Sequence, residues 1–254
     1  MRRLLAGVVL GLVGVGLAEA ACPTYPAPTT NTDGTGSTSY SITVPACASG
    51  KLMLIGVVHD TGSDTISWPS GANDSTTQVA VQNSGASSTT EIRYRFANGS
   101  DANIAVTAGG SSRWASQVYC ITGAHASTAP EGTAGATATT ANPDPPSETA
   151  SWGAEDTNLW IEFVGKGGNQ ATTAASSTPS AFGDLTDTLH GSGGIASATL
   201  CSNTATVDPG TMTDAASTTV QPFTVVVRPS AATAHPFVSN GGPLNPLVNG
   251  GLVN

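Results

Sequence analysis

The run Leu52-Met53-Leu54-Ile55-Gly56-Val57-Val58 decides how this chain is read. It is continuously apolar, yet too short and too rich in β-branched residues for a helix, so it reads as a central buried strand. Upstream, Tyr40-Ser41-Ile42-Thr43-Val44 alternates as a half-buried strand does. Downstream, Thr65-Ile66-Ser67-Trp68 precedes a Pro-Ser-Gly turn, and Gln78–Val81 and Glu91–Phe96 read as partners across a Ser/Gly loop. In the latter, Ile92, Tyr94 and Phe96 fall on one face, and Glu91, Arg93 and Arg95 on the other.

The same texture continues. Ala102–Thr107 and Trp114–Thr122 flank a turn at Ala108-Gly109-Gly110-Ser111, with Val118, Cys120 and Thr122 on one face and Gln117, Tyr119 and Ile121 on the other. The Ala/Thr/Pro-rich stretch 124–151 is expected to be an extended excursion between sheets or a crossing loop. Strands resume at Leu159–Val164, Ile195–Cys201 and Phe223–Arg228, the last closed by Pro229. About nine or ten strands in one stretch predict an all-β fold: a single antiparallel β-sandwich of jelly-roll or Greek-key type. The expected boundaries are a signal peptide at 1–20, an irregular N-terminal arm at 21–37, the sandwich at 38–230 and a flexible Gly/Asn-rich tail at 231–254.

Composition agrees. The 254 residues include 27 serines and 36 threonines, and only 10% are charged, against about 25% in an ordinary domain. Such a chain lacks the Leu, Glu and Lys of a helical bundle. The net charge of -9 disfavours contact with phosphate backbones, so no nucleic-acid partner is expected.

Arg2-Arg3, the apolar run Leu4–Leu17 and Ala18-Glu19-Ala20 form the three regions of a secretory signal peptide. Fourteen helical residues rise only about 21 Å, so no stable membrane span is expected. Cys22 after Ala20-Ala21 invites a lipoprotein reading, but Glu19 stands where a lipobox places an apolar residue. The expected location is therefore extracellular, where Cys22, Cys47, Cys120 and Cys201 are expected to form cystines. Four cysteines allow three pairings. The favoured one is Cys22–Cys47 with Cys120–Cys201, the first tying the arm to the first strand. No C-x-x-C or paired-histidine spacing points to a metal site.

Candidate chemistry is sparse. No G-x-S-x-G, H-E-x-x-H or supported S-x-x-K motif is present, and no catalytic residue is assigned. His59-Asp60 at the end of the buried strand is the best general-base candidate, with His190 in a Gly-rich turn behind it; an ordinary loop pair is the plainer reading. Glu91, Glu162 and the Glu155-Asp156 pair supply carboxylates for a hydrolase, although sequence cannot place two of them in one cleft. Asp60–Asp64 and Asn98–Asn103 set Asx residues on turns; calcium is possible there, and plain Asx turns use the same residues. Trp68 and Trp152 flank turns and are possible sugar-stacking rings, whereas Trp160 belongs to a strand core. The tail nearly repeats itself, placing Phe237, Val238 and Leu244 beside Leu247, Val248 and Leu252; it is read as a disordered end or as an assembly peptide.

Four blocks carry a family resemblance: KLMLIGVVHD (51–60), IRYRFANGSDANIAVTAGGSSRWASQVYCITG (92–123), ANPDPPSETASWGAEDTNLWIEFVG (141–165) and PFTVVVRPS (222–230). Over about residues 40–230 the chain resembles phage-associated β-sandwich proteins of virion tails, fibres or capsid surfaces. The resemblance implies a structural role without catalysis, with self or other structural subunits as partners. The secretory leader departs from that pattern and leaves room for a bacterial surface protein of prophage origin. The resulting expectation is a non-enzymatic structural or adhesive surface protein that assembles through sheet edges and terminal arms. The alternatives are a secreted carbohydrate-binding module with a cell-surface glycan as partner and, behind it, a secreted hydrolase.

Overall fold

The computed structural model describes residues 20–61, 64–71, 75–85, 87–154, 157–168, 171–173 and 182–231. Residues 1–19 of the expected signal peptide (1–20) and residues 232–254 of the expected tail (231–254) lie outside them. All the regular structure described is β. In chain order the strands are β1 (Thr29–Ile42), β2 (Leu52–His59), β3 (Thr77–Asn83), β4 (Thr89–Phe96), β5 (Ile104–Ile121), β6 (Glu131–Ala134), β7 (Ala138–Thr140) and β8 (Glu148–Thr149). They continue with β9 (Asn158–Lys166), β10 (Thr172–Thr173), β11 (Gly183–His190), β12 (Gly193–Ser202), β13 (Thr206–Val207), β14 (Thr213–Asp214) and β15 (Thr218–Val227).

They make an antiparallel β-sandwich. One sheet runs β1-β5-β2-β4-β3 and the other β11-β12-β9-β15-β6, with β7 also on β15. Alternation decides what each strand gives to the interior. Leu52, Leu54 and Val58 of β2 meet Leu159, Ile161 and Phe163 of β9 in the central core, together with Tyr119, Ile121, Ile195 and Phe223. The buried-strand reading of 52–58 is borne out, because a second layer covers the outer face as well. At the bulges between Asp33 and Ser39, β1 and β5 bend together. Their distal halves fold back, so that Tyr40, Ile42, Ile104 and Val106 pack on Ile55, Val57 and Val118. The outer face of the second sheet is covered likewise, with Ala150, Phe182, Val207 and Met212 lying on Trp160, Val164 and Val226.

Several expectations need correction. Residues 108–111 are not a turn between two strands but the bend within the single strand β5. The first strand begins at Thr29, inside the stretch expected to be an irregular arm, because β5 offers it a partner as far as Thr29↔Val118. Thr65–Trp68 makes only an isolated bridge, Ser67↔Thr107. The stretch 124–151 is neither excursion nor crossing loop alone, since it contributes β6 and β7 along β15.

The favoured cystine pairing is also wrong. The bridges are Cys22–Cys201 and Cys47–Cys120. The reason is the parity of β5: Cys120 packs with Met53 on the outer face of its sheet, where Cys47 arrives after β1. Cys201 pairs in register with Leu159 on the other sheet, and the Cys22 sulfur lies 3.8 Å from the Asn158 carbonyl oxygen. A Cys120–Cys201 bridge would have to pass through a sheet. Two cystines are compatible with an oxidising, extracellular setting.

The register defines two poles. Leu52, Ile121, Leu159 and Val227 lie at one, and His59, Trp114, Lys166 and Gly194 at the other. Both cystines lie at the first pole. The described chain also enters and leaves there, since Thr24 bridges to Thr122 and Pro229 to Ala124 on one short segment. We call this the terminal pole and its opposite the distal pole.

Candidate functional site

The distal pole gathers most of the residues that the sequence marks for chemistry. β2 ends there in His59-Asp60, the bent β5 supplies Ser112-Arg113, and the β11–β12 turn supplies His190 and Ser192. The sequence places the two histidines 131 positions apart in number, and only the pairing of β2 with β5 and of β11 with β12 brings them to one end.

Asp60 is the hub. Its Oδ1 accepts the Arg113 backbone N–H at 2.7 Å, and the Arg113 guanidinium lies 3.8 Å from Oδ2. The Ser192 hydroxyl donates to the same Oδ2. This bond ties the end of the first sheet to a turn of the second. Arg113 Nε in turn donates to the Gly34 carbonyl at 3.0 Å, at the bend of β1. His59 is fully buried against the Trp114 ring, centroids 4.9 Å apart, and its Nδ1 accepts the Thr61 N–H at 3.3 Å. His190 is 3% exposed. Burial pushes its pKa down to about 4; Arg113 reinforces this, while Asp60 and Asp33 oppose it. Burial also lowers His59, against the pull of Asp64 and Asp60. Both rings are therefore neutral at physiological pH.

A serine–histidine–carboxylate relay needs the imidazole between the other two groups. Here the Ser192 hydroxyl bonds Asp60 directly, and neither ring nitrogen of His190 has a hydrogen-bond partner. The chemistry on view is that of a latch between sheets rather than of an activated hydroxyl.

The remaining sequence candidates are spread out. Glu91 and Glu162 face outward from opposite sheets, with the sandwich between them. Glu91 holds Arg93 at 2.9 Å and accepts the Trp68 indole N–H at 2.8 Å. Trp68, half-buried, also carries the Arg93 guanidinium 4.7 Å above its ring. Trp152 donates to Asn158 Oδ1 at 2.7 Å and packs on the other sheet's outer cluster. The two tryptophans thus lie on opposite faces and make no common stacking platform. Asn98 accepts the Ser100 N–H at 2.8 Å, Asp101 accepts the Asn98 N–H at 3.2 Å, and Asp101 also pairs Arg95 at 3.1 Å, so these oxygens serve turns. Among the described residues no three His, Cys, Asp or Glu side chains converge as metal ligands. Glu155, Asp156, Phe237, Val238, Leu244, Leu247, Val248 and Leu252 lie outside the described residues.

Sequence reading missed β11 altogether. GDLTDTLH is polar at most positions and has no apolar run. Near the terminal pole this edge strand and the N-terminal segment form a shallow groove of about 360 Å³ lined by Tyr25, Ala27, Pro28, Asp184, Leu185 and Thr186. Asp184 has a φ of 51°, a conformation that costs a non-glycine residue energy, and Leu185 beside it is 39% exposed. The Tyr25 hydroxyl donates to Asp184 Oδ2 at 2.9 Å, and burial pushes its pKa up to about 12. No helix among the described residues is long and apolar enough to cross a membrane.

No protein-family model, no curated protein and no solved structure matches this chain.

Proposed function

We propose that the chain is a non-enzymatic structural or adhesive module displayed at a cell or virion surface, attached through its terminal pole. The observation that carries this reading is the convergence of Thr24 and Pro229 on Thr122–Ala124, at the pole both cystines staple. The described chain therefore enters and leaves the sandwich at the same end. A module held there presents its distal pole and flanks outward. The edge strands fit assembly too: β3 carries Val81, 41% exposed, and β11 carries Leu185. Bulges at Gln78–Ala80 and Gly183–Thr186 interrupt both edges, a feature that limits indiscriminate strand addition. The resemblance to virion surface proteins and the secretory leader support the same setting.

The test is to block one pole at a time. A small folded protein inserted after Gly85, in the distal β3–β4 turn, should leave self-assembly or surface attachment intact. The same protein placed directly after Ala231 should abolish it. Equal loss from both insertions, or from neither, would overturn the polar arrangement.

A further inference from the structure

Lys166 ends β9 with its side chain fully buried, a rare position for an ammonium group. Alternation along β9 puts it on the outer face of the second sheet, in line with Trp160 and Val164. To reach its partner the side chain crosses β12, the strand between β9 and β11. The residues beneath it are small: Gly194, in register with Lys166, and Ala196, in register with Asp187. Beyond them Asp187 Oδ1 lies 2.8 Å from Lys166 Nζ. Asp214, from β14 in the covering segment, brings Oδ1 to 3.8 Å of the same nitrogen, and its side chain is wholly shielded from solvent. One amine and two carboxylates thus meet where water is kept from the nitrogen.

We infer that Lys166 and Asp187 condense into an isopeptide bond, with Asp214 carrying the proton. As ions, a buried pair bears a heavy desolvation cost. Transfer of one proton within the pair gives a neutral amine and a carboxylic acid. The Nζ lone pair then attacks Cγ of Asp187 and the C–N bond forms. One Cγ–O bond breaks, and its oxygen leaves as water, taking one proton from Nζ and the one already on the acid. An ammonium and a carboxylate become one amide and one water, with no oxidant, reductant or cofactor required. Asp214 Oδ1 accepts the proton from nitrogen and returns it to the departing oxygen, as a general base and then a general acid. The fold holds the reacting groups together, which supplies the rate advantage of an intramolecular reaction. The product clamps the edge strand β11 to β9 across β12. This inference is independent of the assembly reading above.

Beyond Arg113, Lys166 is the single site that trypsin can cut, since Arg228 precedes Pro229, which makes trypsin the natural probe. After reduction and denaturation, the full chain should yield one 114–254 peptide lighter than its sequence by one water, with no cut after Lys166, since the Arg228–Pro229 bond resists trypsin. Peptides 114–166 and 167–254 at their sequence masses would overturn the inference and leave a plain ion pair. Asp187→Ala should restore the cut; persistence of the dehydrated peptide would overturn Asp187 as the partner. In Asp214→Ala, with native β-sheet circular dichroism, the bond should form about a hundredfold more slowly during refolding. An unchanged rate would overturn the role of Asp214.

Discussion

His190 shows how one buried side chain sets the chain's response to acid. Its folded pKa of about 4 lies below the unfolded value of 6.5, so unfolding takes up a proton between those limits. The stability it protects is fully present above about pH 6.5, falls as the pH drops, and is gone below about pH 4. The total is about 3 kcal/mol, and His59 acts in the same direction. Urea midpoints measured from pH 7 to pH 4 should show this slope, and His190→Leu should flatten it. A slope unchanged by that substitution would contradict the assignment. The sequence marks His59 and His190 separately, but their burial and shared pole come from long-range pairing that no local pattern encodes.

At the level of strands, the two sheets approach so closely at Gly165 that a Cβ there would run into the Thr90 hydroxyl. Thr90 is held in place by its bond to Gln221 Oε1 at 2.5 Å, in a buried polar patch that includes Ser88. Gly165→Ala should cost about 1–3 kcal/mol through overpacking, seen as a lower urea midpoint with an unchanged slope. Gly183→Ala, where the space is open, should change stability by less than about 0.5 kcal/mol. The strands that sequence revealed are those whose pattern is strong, such as Leu52–Val58 and Leu159–Val164. β11, β6 and β7 escaped because edge strands face water on one side; β6 and β7 are short runs rich in Thr, Gly and Ala, and β11 carries Asp and Thr between its two leucines. In the sequence the bend of β5 reads as a turn, because Gly109-Gly110 serves both purposes equally well.

For the molecule as a whole, the use of all four cysteines in cystines was legible, but their pairing and the two poles were not. Face parity along β5 was visible in the sequence, but which sheet each cysteine would join was not, and that decided the pairing. In the chain-entropy view, Cys22→Ser with Cys201→Ser should cost about 5 kcal/mol and Cys47→Ser with Cys120→Ser about 4 kcal/mol. Thermal denaturation of the two variants would check that order. The proposed role as a displayed module requires the terminal pole to drive association. Light scattering combined with negative-stain microscopy, on the protein with and without residues 231–254, tests it most directly. Regular oligomers or filaments are expected from the full chain, and monomers after truncation. Monodisperse monomers from both forms would contradict it.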